Sequence, residues 1–251
     1  MNSQKEEFDF PTEEIDLPSK GLVYPKENPL SSGKIVMKYM TAKSEDILTN
    51  QNYIKNGTVI DKLLKSLIVS KVNYDDIIVG DKNAIMVAAR VLGYGKDYEV
   101  TYRNQKVTID LSKIEPLELD ESIITPGKNE FKYTLPNTGV EITYKLLTNH
   151  DDKKIQAEID GLKKINKQDS YELSTRLKFM ILAVDGNTDI SFIRKFVDNH
   201  LLARDAKAFR DHVKKTQPDI NLTFTFEGEN GIEEGVSIPI TTNFFWPDSG
   251  I

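Results

Sequence analysis

Residues 17–25 read Leu17-Pro18-Ser19-Lys20-Gly21-Leu22-Val23-Tyr24-Pro25. Proline fixes its own φ and keeps the residue before it out of the helical region, so two prolines around a Ser-Lys-Gly turn predict an extended arm. Leu22, Val23 and Tyr24 give the arm an apolar surface that we expect to be covered. Two alternatives are open here: the arm packs on its own domain, or it grips a partner protein through these three side chains.

The residues on either side extend this pattern. C-terminal to the arm, Ile35, Met37 and Tyr39 alternate with other residues, and this period of two predicts a strand from Ile35 to Met40. N-terminal to the arm, residues 1 to about 14 are mostly polar and acidic, which predicts a disordered start. The sequence therefore predicts a first segment, residues 1–34, made of a disordered start and an extended arm.

Three helices are predicted next. Thr41 is a candidate N-cap for a helix that runs to about Lys55. Thr58 starts a second helix whose apolar residues recur every four positions. A third helix is predicted over 81–92, with small and apolar residues on one face.

The period then changes from that of a helix to that of a strand. Residues 98–111 and 130–147 each contain two alternating runs around a polar turn, which predicts two β-hairpins. Together with the first strand and the three helices, they make up a predicted unit over residues 35–147.

The last segment, residues 148–251, is predicted as a three-helix unit with a hairpin and an aromatic tail. The helices are expected over 151–165, 170–184 and 189–216, and the hairpin over 222–240. The predicted fold class is α+β, with helical units each followed by antiparallel β-hairpins and an extended N-terminal arm.

The aromatic tail is Phe244-Phe245-Trp246-Pro247. Successive side chains of a strand point to opposite faces, so at least one ring should project away from the protein unless the chain bends sharply. Either the tail closes the last hairpin, or it docks a partner through Phe244, Phe245 and Trp246. Leu22, Val23, Tyr24, Phe244, Phe245 and Trp246 are thus the candidate partner-binding residues.

The composition excludes several kinds of chemistry. The chain has 251 residues and no cysteine, which excludes disulfides, thiolate nucleophiles and cysteine-bound zinc. Its three histidines are scattered and are predicted to lie on the surface. We expect no catalytic residues, no metal, no cofactor and no small-molecule substrate.

The charge and hydropathy indicate where the protein acts. A net charge of −6 argues weakly against a protein that coats nucleic acid, which would need a basic face. No apolar run approaches membrane-spanning length, and the acidic N-terminus is unlike a signal peptide. We therefore expect a cytoplasmic protein with no membrane and no nucleic-acid partner.

Several short pieces, spread over most of the chain, resemble the baseplate hub family of T-even-type contractile-tailed bacteriophages. They are Leu17–Gly21, Tyr24-Pro25, Pro29-Leu30, Ser32-Gly33, Tyr39–Ala42, Glu45–Leu48, Val59–Leu64, Gly80–Ala84, Arg90–Gly95 and Phe244–Pro247. The resemblance implies a non-enzymatic phage tail protein in the host cytoplasm, with other hub or tail proteins as its partners.

That resemblance leaves some alternatives open. The protein could be a resident hub component of the virion or an assembly chaperone, and self-association is open in either case. A nucleic-acid-binding adaptor and an enzyme with an unrecognised site are the competing classes.

Overall fold

A computed structural model describes residues 11–165, 170–228, 231–240 and 244–246. Strand β1, Thr12–Asp16, pairs antiparallel with β2, Lys34–Lys38, with Ile15 opposite Ile35. The predicted strand at Ile35 is confirmed. The predicted disordered start differs from the structure where it overlaps β1, and its residues 1–10 lie outside the described part of the chain.

Four helices follow instead of three. They are α1, Ala42–Leu48; α2, Gln51–Lys55; α3, Val59–Leu67; and α4, Val79–Tyr94. The helix predicted from Thr41 to Lys55 is two helices, because Asn50 is extended (φ −69°, ψ 109°) and its side-chain oxygen accepts from the N–H groups of Asn52 and Tyr53. Such an N-cap starts a new helix.

The two predicted hairpins are confirmed. Strand β3, Asp97–Tyr102, pairs with β4, Gln105–Asp110, and β5, Phe131–Thr134, pairs with β6, Glu141–Tyr144. Arg103 and Asn104 connect the first pair with positive φ values of 47° and 63°. Two such residues form the tight turn whose twist matches the flanking strands.

A strand missed by the sequence prediction links the two predicted units. After α5, Asn149–Ile165, and α6, Glu172–Met180, the chain forms β7, Ile181–Val184, which pairs antiparallel with β6. These residues were predicted as the end of a helix, because a four-residue apolar run is too short to show whether its period is that of a helix or of a strand. The predicted boundary at residue 148 therefore cuts the sequence between strands of a single three-stranded sheet.

The long helix predicted over 189–216 is also two helices. They are α7, Ile190–Asn199, and α8, Ala203–Thr216, and Leu202 between them is extended (φ −61°, ψ 143°). The break falls where the apolar stripe shifts by one position, from Ile190, Ile193, Val197 and Leu201 to Leu202, Ala206, Phe209 and Val213.

In the helix predicted over 151–165, Ile165 continues the apolar stripe of Ile155, Ile159 and Leu162, which predicts a buried side chain. That prediction is wrong, because Ile165 is 85% exposed at the C-terminal end of α5.

The chain closes with β8, Thr223–Gly228, paired antiparallel with β9, Gly231–Ser237. This confirms the third hairpin, although two residues of its predicted turn, 229 and 230, lie outside the described residues. The fold is α+β, as predicted. One hydrophobic core includes side chains from the arm, the helices, the hairpins and the tail, and a small second cluster (Leu147, Ile155 and Ile159) lies under α5.

Candidate functional site

The arm packs on its own domain, which is the first of the two alternatives. Val23 and Tyr24 are 1% and 5% exposed, and Leu22 is half-buried against the core. The polar side chain of Ser19 is also fully buried. The arm is thus part of the core of this chain.

Ser19, Tyr24 and Asp81 form a buried cluster, here called the Asp81 clasp. One carboxylate oxygen of Asp81 accepts from the Tyr24 hydroxyl at 2.6 Å and from Ser19 Oγ at 2.7 Å, and the other accepts from the Ser19 N–H at 2.9 Å. The Tyr24 hydroxyl accepts in turn from the N–H of Ile78 at 3.1 Å. The clasp therefore ties the arm to the first turn of α4.

Burial determines the ionisation of the clasp. It raises the pKa of Asp81 above its ordinary value, against the lowering effect of the hydrogen bonds from Tyr24 and Ser19. Burial and the nearby Asp81 charge also raise the pKa of Tyr24. Both groups are closed off from solvent, so the clasp has a structural role. The sequence indicated Asp81 only as a residue near a helix start.

Two glycines let the arm close on itself. Gly21 and Gly33 have φ values of +77° and +73°, which favour glycine. A Cβ atom on Gly21 would lie 2.4 Å from the carbonyl oxygen of Ser31, and one on Gly33 would lie 2.7 Å from that of Lys20. The two turns therefore pack backbone against backbone.

The tail is also buried. Phe244 and Phe245 are 0% and 1% exposed, whereas Trp246 is half-buried against the core. The Phe244 ring meets the rings of Tyr98 and Phe245 edge to face, each at 5.1 Å between centroids. The backbone turns here instead of continuing as a strand, which is why two successive rings can enter one core. Pro247 lies outside the described residues.

The six predicted partner-binding residues therefore do not form one open surface. The structure encloses Val23, Tyr24, Phe244 and Phe245 within this chain and leaves only Leu22 and Trp246 partly accessible. The prediction recognised that these apolar side chains must be covered, but the cover is the protein's own core.

An open cleft lies elsewhere, between the start of α4, the end of α6 and the last turns of α8. Its volume is about 250 Å³. Apolar side chains line much of it: Ile78, Val79, Leu146, Leu147, Met180, Val213 and Pro218. Arg176, Arg210 and Lys214 are also among its lining residues, and it is here called the cationic cleft.

The sequence of α8 explains this lining. Arg210, Lys214 and Gln217 recur at i, i+4 and i+7, so they share one side of the helix end. Their neighbour Val213 is buried. At the end of the cleft, Gly80 lets α4 approach the loop after α8, since a Cβ atom there would lie 1.8 Å from the carbonyl oxygen of Pro218.

The three cations differ in their partners. Arg176 pairs with Asp152 at 3.1 Å and with Glu172 at 3.4 Å. Arg210 and Lys214 are exposed, and neither pairs with an acid within the described ranges. The cleft therefore has two cations whose charge is not neutralised by a neighbour.

The cationic cleft has the chemistry of a binding site. Its lining contains no carboxylate, histidine or hydroxyl side chain, so it has neither a general base nor a nucleophile. In the parts of the chain that the structure covers, no group of three or more His, Cys, Asp or Glu side chains is placed to hold a metal ion. Apolar walls with cations suit a ligand that is both apolar and anionic.

His212 differs from its predicted surface position. It is half-buried, its ring stacks on Tyr133 at 4.3 Å between centroids, and its Nε2 lies 3.0 Å from the Tyr144 hydroxyl. Burial lowers its pKa. This histidine belongs to an aromatic cluster between α8 and the three-stranded sheet, and the sequence showed only a polar residue on a helix.

Among the helices formed by the described residues, none combines the length and the apolar character needed to cross a bilayer.

Comparison with known proteins returned no match to a family model, a curated protein or a solved structure.

Proposed function

We propose that this chain is a non-enzymatic protein of a contractile phage tail that acts in assembly of the baseplate hub. It works through contacts with other hub or tail proteins, either as a structural component or as an assembly chaperone. Its place of action is the cytoplasm of the infected host, and a structural component would remain in the virion baseplate. The family resemblance described above motivates this proposal.

The observation that carries the proposal is that the resembling pieces contact one another in space. Ser19 and Tyr24, from two pieces near the N-terminus, both bond to Asp81 in a third. Lys82 of that same piece pairs at 2.7 Å with Asp61, which belongs to a fourth piece. These contacts bring four of the resembling pieces into one packed unit, as a shared family fold requires.

The C-terminal end of α4 shows the same relationship. A Cβ atom on Gly93 would lie 2.3 Å from the Met40 sulfur, and the Tyr94 hydroxyl donates to Glu45 at 3.4 Å. Met40 and Glu45 lie in two further resembling pieces. The resembling pieces therefore pack against one another, which supports a family relationship over this part of the chain.

The roles of the buried acids support binding over catalysis. Asp81 holds the arm, and Asp205 accepts from the Asn137 N–H at 2.8 Å and from the Thr138 hydroxyl at 2.9 Å, which fixes the β5–β6 loop on α8. Asp151 pairs with Lys145 at 2.7 Å. Each of these carboxylates is occupied by structural contacts.

The proposal is tested by affinity capture of the tagged chain from cells infected with the phage that encodes it. Hub or tail proteins should co-purify, as identified by mass spectrometry. Capture that yields only host enzymes or nucleic acid would refute the hub role. Mass spectrometry of purified virions then separates the two forms of the proposal, because a structural component is present there and an assembly chaperone is not.

A further inference from the structure

The sequence contains one short segment whose chemistry complements the cationic cleft. Residues 6–10 read Glu6-Glu7-Phe8-Asp9-Phe10, and are here called the acidic segment. It combines three carboxylates with two aromatic rings and lies directly before Pro11, where the described chain begins.

The size and charge of the cleft match this segment. Its volume of about 250 Å³ lies just below the roughly 300–1,000 Å³ of typical small-molecule sites. It therefore suits one aromatic side chain better than a cofactor. Arg210 and Lys214 supply cations without acidic partners among the described residues, and acids beside an inserted ring would neutralise them.

Pro11, to which this segment is joined, lies far from the cleft of its own chain. The Pro11 carbonyl accepts from the Tyr39 N–H at 3.2 Å, and the next residue, Met40, lies against Gly93 near the C-terminal end of α4. The cleft lies at the other end of α4, beside Val79 and Gly80. A helix rises 1.5 Å per residue, so these two ends are about 20 Å apart.

The path of the arm agrees with this placement. From Pro11 the chain runs along β1 and reaches the Asp81 clasp, at the cleft end of α4, only at Ser19. An extended chain spans at most about 3.5 Å per residue, so three residues reach no more than roughly 10 Å from Pro11. That reach is too short for an aromatic ring of the segment to fill the cleft of the same chain.

We propose that the acidic segment of one copy inserts into the cationic cleft of a second copy. One ring of the segment packs on the apolar lining, and carboxylates beside it pair with Arg210 and Lys214. Reciprocal exchange closes a symmetric dimer, since each copy has one segment and one cleft.

The test is sedimentation equilibrium of the full chain over a range of concentrations. Arg210→Glu/Lys214→Glu reverses the charge of the cleft, and Phe8→Ala/Phe10→Ala removes the rings. Each variant should weaken dimerisation by about tenfold or more, with an unchanged melting temperature. The matched control, Arg204→Glu/Lys215→Glu, changes the same charge at exposed positions of α8 that do not line the cleft, and should dimerise as the parent does.

A charge exchange identifies the contact directly. Copies with Glu6→Lys/Glu7→Lys, mixed with copies carrying the reversed cleft, should form mixed dimers, whereas the reversed-cleft variant alone should dimerise about tenfold or more weakly than the parent. Three results would overturn the proposal: a parent chain that is monomeric throughout, dimers that survive Phe8→Ala/Phe10→Ala, or a reversed cleft whose only effect is the loss of nucleic-acid binding. Self-association does not depend on the hub role, so capture from infected cells and sedimentation fail separately.

Discussion

Tyr24 and Asp81 are 57 positions apart in the chain, and the tyrosine hydroxyl donates to the buried carboxylate at 2.6 Å. The contact joins a proline-bounded arm to the first turn of α4. The Ser19 side chain donates to the same carboxylate oxygen. The clasp thus makes the N-terminal arm a structural part of the core.

Asp81→Ala should destabilise the protein strongly. It leaves the Ser19 N–H, the Ser19 hydroxyl and the Tyr24 hydroxyl without their acceptor in a buried place, and each unmet group costs about 1–3 kcal/mol. We expect a loss of about 3 kcal/mol or more in the free energy of unfolding, measured by urea denaturation. Asp46→Ala, at an exposed position of α1, is the control and should change stability by less than about 0.5 kcal/mol. Equal losses in the two variants would contradict the clasp.

Gly21→Ala tests the backbone packing of the arm. The substitution forces alanine into the left-handed conformation of Gly21, which costs about 1–2 kcal/mol for an L-residue. The added Cβ atom would also lie only 2.4 Å from the Ser31 carbonyl oxygen. Gly139→Ala is a matched control, because Gly139 has a similar φ of +72° and no atom within 4 Å of the added Cβ. We expect thermal unfolding to show a clearly larger loss for Gly21→Ala, and similar losses would show that the collision is relieved.

Phe245→Ala distinguishes a tail in the core from an exposed anchor. Because Phe245 is 1% exposed, its truncation should cost about 3–5 kcal/mol, the usual range for a buried aromatic. Phe192→Ala, where the ring is 44% exposed, should cost much less. Chemical denaturation measures both, and a Phe245 variant as stable as the parent would place the tail outside the core.

His212 should make the fold sensitive to mild acid. Burial lowers its pKa below the ordinary 6.5, so the unfolded chain binds this proton more readily than the folded one. The stability it contributes is fully present above about pH 6.5 and is lost as the pH falls through the folded pKa. The melting temperature should fall as the pH is lowered from about 7.5 to about 5, a range that brackets the ordinary histidine pKa. His212→Gln should reduce that fall.

The exposed His200 is the control for this measurement. His200→Gln should keep the pH dependence of the parent, because the ring has no buried contacts to lose. If His200→Gln rather than His212→Gln flattened the profile, the titrating group would not be the stacked histidine.

Local signals in the sequence were sufficient for the hairpins and for the general positions of the helices. The turn at Arg103-Asn104 and the alternation on either side of it depend on neighbouring residues only. The same holds for the apolar stripe of α3, of which Val59, Leu63 and Leu67 are all buried. Wherever a short period and a turn residue agree, the sequence determined the element.

The boundaries of several helices and strands could not be predicted from the local sequence pattern alone. Asn50 and Leu202 interrupt stretches that have helical periodicity on both sides. Residues Ile181–Val184 directly follow α6 in the sequence but form a strand that pairs with β6. A short apolar run fits a helix or a strand equally well, and the available partner decides between them. That partner, β6, comes from a distant part of the chain.

The sequence by itself determined the α+β class, the three hairpins, the absence of cysteine chemistry and the need to cover the apolar arm and tail. Only the tertiary structure decided what covers them and where an open site remains. Asp81 becomes the anchor of the arm because α4 brings it to Ser19 and Tyr24, and the cationic cleft exists because α4, α6 and α8 converge. Contacts between residues far apart in sequence depend on how the elements pack, and no local periodicity encodes them.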